Sequence, residues 1–346
     1  MIWLSLPATI RPFRNRHAAL RCAPRLPEKA DSHASNDPVW SRTALGLAIS
    51  ASLFLQGCAL PGGAPKGPEA PVEERLGALP PAEPFTVRTA EALAKKFDST
   101  GYRLAALRKG NQAPPRLYLQ RFPADWADAT SGKKRKDLFF RSILPMVSEA
   151  NRLILLDRRR LKAMVAGRRP AEKAAQDRAW LKALAKRYGV RDRDPKALLT
   201  RVDMVPASLA LAQAALESGW GTSRFAAEAN ALFGQWTWKA GQGLAPKQRE
   251  AGKTHAVRRF DSLLDSVIAY MDNLNTTRAY APFRQKRAAA RQRGERLSGD
   301  DLAAGLIRYS EEREAYVDKV RLVIRHNNLG PFDRTPLVPR QRIAMR

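Results

Sequence analysis

Cysteine is almost absent from this chain of 346 residues: Cys22 and Cys58 are the only two, and neither lies in the part that reads as globular. A disulfide framework and a cysteine-based metal site are thereby excluded. Histidine is nearly as scarce. His17, His33, His255 and His326 form no HxxH or HExxH pair, which argues against a zinc enzyme. No metal and no organic cofactor is expected. No uncharged apolar run reaches the roughly 17–25 residues that a membrane-spanning helix needs. Acidic residues are thin as well: 33 Asp+Glu face 61 Lys+Arg, a formal net charge of +28. Such an excess implies a polyanionic neighbour, whether nucleic acid, an anionic membrane face or an acidic wall polymer. A genomic bias toward arginine is the competing explanation. The apolar content of 44 % is that of a globular chain, long enough for one large domain or two smaller ones.

Residues 44–55 (ALGLAISASLFL) form an uncharged run preceded by Arg42. That length and flank suit the apolar region of a secretory signal. Leu55-Gln56-Gly57-Cys58 follows and resembles a bacterial lipobox, although Gln56 is unusual at its place. The resemblance implies lipidation at Cys58, and Ala59 rather than Asp after it implies the outer membrane. The Ala-Leu-Pro-Gly-Gly-Ala-Pro run from Ala59 suits a flexible tether. Residues 1–40 show no periodicity, and a signal starts shortly before its apolar region, so translation is expected to begin near Val39. The expected organisation is an N-terminal extension and signal over 1–57 and a Pro/Gly-rich linker over 58–84. A basic helical region over 85–200, a main domain over 201–330 and a loose basic tail over 331–346 follow.

Within the basic region, 85–101 reads as a short helix and 116–122 as an extended segment. Apolar residues at steps of three, four or seven predict a helix from Asp137 to about Gly167. Pro145 should kink it or mark its first turn. A further helix over 171–188 should end at Gly189. Residues 133–201 hold 21 Lys+Arg against 7 Asp+Glu, so 21 − 7 gives +14, half of the chain's net charge. Such charges usually coat solvated helix faces, and they could also hold the chain against an acidic polymer or membrane.

The most informative stretch begins at Val205: VPASLALAQAALESGWGTSRFAAEANALFGQWTW. Pro206 suits a first helical turn, and Val205, Leu209, Ala212 and Leu216 form an apolar stripe. The helix should end near Gly219. Glu217 then lies in the last turn, where the negative end of the helix dipole and any loss of water both disfavour its ionisation. A carboxyl kept protonated near neutral pH is what a general acid needs to protonate a glycosidic oxygen. Glu217 taken alone would more simply be an exposed helix-end residue.

The words AQAALESGWGTSRFA and NALFGQW change that balance. They resemble the glucosaminidases of glycoside hydrolase family 73, and among them the bacterial Bax-type proteins. DLFFRSILPMVSEANRLILLDRRRL upstream and HAVRRFDSLLDSVIAYMDNLNTTRAYAPFR downstream extend the resemblance over roughly residues 116–330. The words are shared more loosely with other lysozyme-like enzymes, including lytic transglycosylases. The resemblance implies a mostly α, lysozyme-like catalytic domain with a small β-hairpin lobe, preceded by a helical region. It implies an endo-β-N-acetylglucosaminidase that cleaves β-1,4 bonds of peptidoglycan. Glu217 matches the family's catalytic acid, and Ser218, Gly219, Trp220 and Gly221 match the turn behind it. Phe233, Gly234 and Trp236 match the segment lining the sugar groove, with Ser218 also a candidate for substrate binding. Tyr280 matches a tyrosine placed near the catalytic carboxyl. Flat rings suit the apolar faces of pyranose sugars, and a phenol can bond a carboxyl or acetamido group. For Trp220 and Tyr270 simple core packing is the preferred reading.

Glycoside hydrolysis usually employs a second carboxylate. Glu228 falls on a short helix at 223–230, and Glu250 and Asp261 flank an expected hairpin over 236–260. Glu250 is the favoured candidate, and the substrate's acetamido group could serve instead. The expected partners are a peptidoglycan strand and a membrane reached through the lipid anchor, with a monomeric chain in the cell envelope. Nucleic acid is set aside, since no motif for it is recognisable. Two alternatives remain: a lytic transglycosylase on the same fold, and a wall-binding lipoprotein without catalysis.

Overall fold

The computed structural model describes residues 82–110, 112–129, 131–168, 173–191, 194–239, 241–246 and 255–337. The signal run, Cys58, the linker up to residue 81, Glu250 and the end of the basic tail lie outside the described residues. Among the described residues no helix is long and apolar enough to cross a membrane.

The chain enters through strand β1 (Glu83–Phe85), which pairs in parallel with β2 (Leu117–Leu119), Glu83 beside Leu117. The helix expected from residue 85 begins later, as α1 (Ala90–Ser99): Phe85 belongs to that strand and the cap falls at Thr89. Thr89 caps it, its hydroxyl accepting from the Ala92 amide. After α2 (Leu104–Arg108) and α3 (Trp126–Ala129) comes the longest element, α4 (Gly132–Val165). Pro145 lies well inside α4 and neither opens nor ends it. Every residue from Leu138 to Arg152 is buried, whereas beyond Ile154 only Leu161 is, so α4 passes through the core and emerges on one side. Helix α5 (Ala174–Tyr188) ends at Gly189, which takes the left-handed conformation as expected. Asp194 caps α6 (Pro195–Arg201), with Pro195 in its first turn.

Helix α7 (Ala207–Ser218) is mostly apolar, and Ala207 through Ala215 are all buried. A helix of that kind is stable only when surrounded. It packs on α4, on α11 (Gly299–Leu302), on α12 (Glu314–His326) and on the 3-10 turn Gly330–Arg334. Leu209 and Leu211 are fully buried, worth about 1.5–3 kcal/mol each. Pro206 stands at the cap of α7 instead of in its first turn. After α8 (Arg224–Ala229) the expected hairpin is a three-stranded antiparallel sheet. Its centre is β5 (Ala256–Arg258), flanked by β3 (Trp236–Thr237) and β4 (Gly243–Leu244). Helix α9 (Leu263–Thr276) starts on a capping box of Ser262 and Asp265 and packs along α4; α10 (Ala281–Gln292) follows. The architecture is mostly α with a small β lobe, the class expected from the sequence. One core cluster runs from Ala90 to Phe332, and a smaller one lies under the sheet.

Charged groups also enter this core. Asp203, just before α7, accepts from Arg291 Nε at 3.1 Å and Nη2 at 3.0 Å, with Arg158 at 3.5 Å. The buried Arg287 donates to the carbonyls of Thr200, Arg201, Asp203 and Met204. These arginines tie α4, α6 and α10 together beneath the start of α7.

Candidate active site

The Glu-Ser-Gly-Trp-Gly word folds as one tight turn. Gly219 ends α7 in the left-handed conformation, and Trp220 continues it with φ of 60°. Gly221 follows with φ of +81°, and a Cβ there would stand 2.8 Å from Phe122 and from Trp126. Only glycine satisfies both demands. The buried Ser218 fixes the turn from within: its hydroxyl donates to the Ala214 carbonyl at 2.6 Å and accepts from the Gly221 amide at 2.9 Å. Trp126 Nε1 donates to the Trp220 carbonyl at 2.9 Å, and the Trp220 ring packs edge-on against Phe139 and Phe140. Aromatic packing from α3 and α4 thus holds the backbone that ends the helix.

Glu217, in the last turn of α7, is half-buried. The Tyr316 hydroxyl, from α12, donates to its Oε1 at 2.6 Å. Tyr316 in turn accepts from Nε2 of Gln213 at 2.9 Å, and Oε1 of Gln213 accepts from the Tyr270 hydroxyl at 2.7 Å. Tyr309 stacks on Tyr316 with ring centres 5.3 Å apart, and Tyr280 lies 5.7 Å beyond Tyr309. Burial pushes the Glu217 carboxyl up to about 7; the bond from Tyr316 pulls the other way, and the negative charge of Glu312 adds to the rise. The carbonyl end of α7 acts in the same direction. A carboxyl at that level is populated in both protonation states near neutral pH, as a proton donor must be.

The other expected residues are distributed as follows. Tyr280 is buried in the tyrosine cluster, and burial raises its phenol above the ordinary value. The hydroxyl that touches Glu217 belongs to Tyr316. Phe233 is buried and lies flat on Tyr270, ring centres 3.9 Å apart and planes 7° from parallel. Gly234 takes φ of +60° with open space where a Cβ would be. Trp236, half-buried on β3, meets His255 edge-on. Glu228 is exposed and paired with Arg224, and Asp261 is exposed. Asn230, from the NALFG word, donates to the carbonyls of Phe260 and Asp261 and so fastens the end of α8 to the turn between β5 and the following helix. Glu312, ion-paired with Lys319 at 2.6 Å, is the carboxylate whose charge bears on Glu217.

Sequence reasoning missed Tyr316 and Gln213. Tyr316 shares the buried face of α12 with Val317, Val320 and Ile324, so its period is that of a core position. The available signal was chemical: a buried phenol, like a buried amide on a mostly apolar helix, requires a polar partner. Among the described residues no group of three His, Cys, Asp or Glu is placed to hold a metal ion.

Three comparisons place these observations among known proteins. A sequence-family model described as glucosaminidase (mannosyl-glycoprotein endo-beta-N-acetylglucosaminidase) matches residues 196–329. The chain is 35% identical to protein bax of Escherichia coli (strain K12) over 192 residues, which are 54% of this chain and 67% of that protein. Among solved structures, the catalytic domain of the autolysin Auto from Listeria monocytogenes is 19% identical with a TM-score of 0.34, over 60% of this chain and 92% of that one.

Proposed function

The chain belongs to the glucosaminidase family, alongside the Bax-type proteins, and on that premise we propose that it is an endo-β-N-acetylglucosaminidase of peptidoglycan with Glu217 as its general acid. The observation that carries the reading is the state of Glu217: a half-buried carboxyl at a helix end, raised to about 7 and held by a single neutral phenol. Such a group can protonate the oxygen of a β-1,4 bond after N-acetylglucosamine and keep its charge stabilised afterwards. Water then completes the hydrolysis. The second role falls to Glu250 or to the acetamido group of the substrate. Trp236 and Tyr280 are proposed to line the sugar path, with Phe233, Gly234 and Ser218 shaping it. The chain would act in the cell envelope, anchored through a lipid on Cys58. A fatty-acid probe should label the wild type and not Cys58→Ala, and equal labelling would remove the anchor from the reading.

The test of the activity is reducing-end release from purified cell walls. Glu217→Gln keeps size and shape but has no proton to give, so release should fall by a factor on the order of 10²–10⁴ while circular dichroism stays unchanged. Near-normal release by the folded variant would assign the acid to another residue. Mass spectrometry of the products should show a hydrated N-acetylglucosamine end; an anhydro sugar would make the enzyme a transglycosylase.

A further inference from the structure

Helix α7 carries one polar side chain in its otherwise apolar middle. Gln213 has no exposed surface and lies one turn before Glu217. Its amide has a direction. Oε1 accepts the hydrogen of Tyr270, and Nε2 donates to the oxygen of Tyr316. Turning the amide over would aim Nε2 at the Tyr270 hydroxyl. That phenol has no other acceptor among the described residues, and its hydrogen would be stranded in a dry site. Tyr270 therefore fixes the amide. The amide in turn occupies an acceptor position on Tyr316, and the single hydrogen of Tyr316 is left for Glu217.

We propose that Gln213 is a positioning residue for the acid, forcing Tyr316 to donate to Oε1 of Glu217 so that the acid's own proton resides on Oε2. This rests on Glu217 being the acid. The consequence is chemical. When Oε2 gives up its proton, the carboxylate left behind already holds a donor on Oε1, with no hydroxyl to reorient. Without the amide, Tyr316 could turn its hydrogen away, and the ionised form of Glu217 would lose that support. The titratable and charged groups that bear on Glu217 are Tyr316, Tyr309, Tyr280 and Tyr270 and the carboxylate of Glu312, itself paired with Lys319. The tyrosines stay neutral through the range in which Glu217 titrates, since burial holds them high. The direction of the hydrogen-bond chain is thus the feature that the variants below change.

The experiment follows the Glu217 carboxyl by 13C NMR titration of the glutamate-labelled chain, the resonance being identified by its loss in Glu217→Gln. Gln213→Met keeps the volume and removes the amide. Tyr270→Phe keeps the ring and removes the group that orients the amide, so it tests the idea even if the Met variant fails to fold. In Gln213→Met the Glu217 pKa should rise by on the order of one pH unit, close to the rise in Tyr316→Phe. The double variant should add nothing to Tyr316→Phe alone. Tyr270→Phe should shift it in the same direction by less. On purified walls, kcat of Gln213→Met should fall about tenfold with KM unchanged. If Tyr316→Phe moves the titration while Gln213→Met and Tyr270→Phe leave it at the wild-type value, Gln213 is only a packing residue and the proposal is overturned. A wild type that titrates as described yet releases no sugar ends would instead overturn the proposed activity and leave the hydrogen-bond chain standing.

Discussion

Asp203 and Glu217 stand at opposite ends of the segment that carries α7, and both are withdrawn from water. Burial pushes each carboxyl upward. At Asp203 that push is outweighed by the bond from Arg291 and the charges of Arg287, Arg158 and Arg291, and its carboxyl is held below the ordinary range. At Glu217 the bonding partner is the neutral phenol of Tyr316, the nearby charge is the negative one of Glu312, and the carboxyl stays at about 7. Partners, more than depth, decide which buried carboxyl can release a proton near neutral pH. The arginine-rich composition stabilises a permanent anion beneath the start of α7, whereas among the described residues no guanidinium bonds the carboxyl at its end.

Removing the permanent anion should do the most damage. Asp203→Ala leaves Arg158, Arg287 and Arg291 facing one another in the core, and losing one partner of a buried ionic cluster costs about 3–5 kcal/mol. Urea denaturation should show that loss in the midpoint. Glu217→Gln, measured alongside at pH 7, should show no loss. A cost below about 1 kcal/mol for Asp203→Ala would mean that water screens the arginines, and the contrast between the two sites would collapse.

The acid end of α7 is held by backbone geometry and aromatic packing in place of ion pairs. Gly221→Ala would put a methyl 2.8 Å from Phe122 and Trp126 at a φ of +81°. Left-handed strain and overpacking together should cost about 2–4 kcal/mol. Thermal unfolding would read the loss, and kcat on purified walls should fall as the turn behind Glu217 shifts. A variant that keeps both stability and kcat would show that the Phe122 and Trp126 rings can move aside.

Much of this was legible in the residues because local chemistry dictated it. The Gly219 terminus, the short helix before Asn230 and the stop at Gly189 each follow from backbone preferences that act over a few residues. Glu217 was legible for the same reason, since its position in the last turn follows from the glycine after it. Tyr316 was not, because its partner lies 99 residues earlier in the chain. Its buried neighbours Val317 and Val320 give it the period of a core residue. Tyr280 was expected beside the acid and is in the same cluster, but the ring of Tyr309 lies between it and Tyr316. The sheet differed from a plain hairpin for a similar reason: β5 pairs with two strands, and pairing order is a long-range property. Of the two readings of Pro145, the first-turn one fails because the helix already opens at Gly132.

The two carboxyls also differ in how their contribution to stability depends on pH. Glu217 has a folded pKa of about 7 against an ordinary value of 4.5. The folded state therefore binds its proton more tightly than the unfolded state does. The stability this contributes is fully present below about pH 4.5 and is lost as pH rises through 7. Glu217→Gln has no proton to lose and escapes that decline. Its stability relative to the wild type should rise between pH 4 and pH 8, by about 1–3 kcal/mol once partial exposure is allowed for. Asp203 behaves oppositely: its lowered pKa gives stability that is present above the ordinary aspartate range and lost as pH falls through the folded value. Urea midpoints of the wild type, Glu217→Gln and Asp203→Asn across that range test both signs. The curves of wild type and Glu217→Gln should diverge toward alkaline pH, and those of wild type and Asp203→Asn should converge toward the acid limit. Parallel curves for wild type and Glu217→Gln would mean that Glu217 titrates alike in the folded and unfolded chain. The strain that makes it an acid would then be absent.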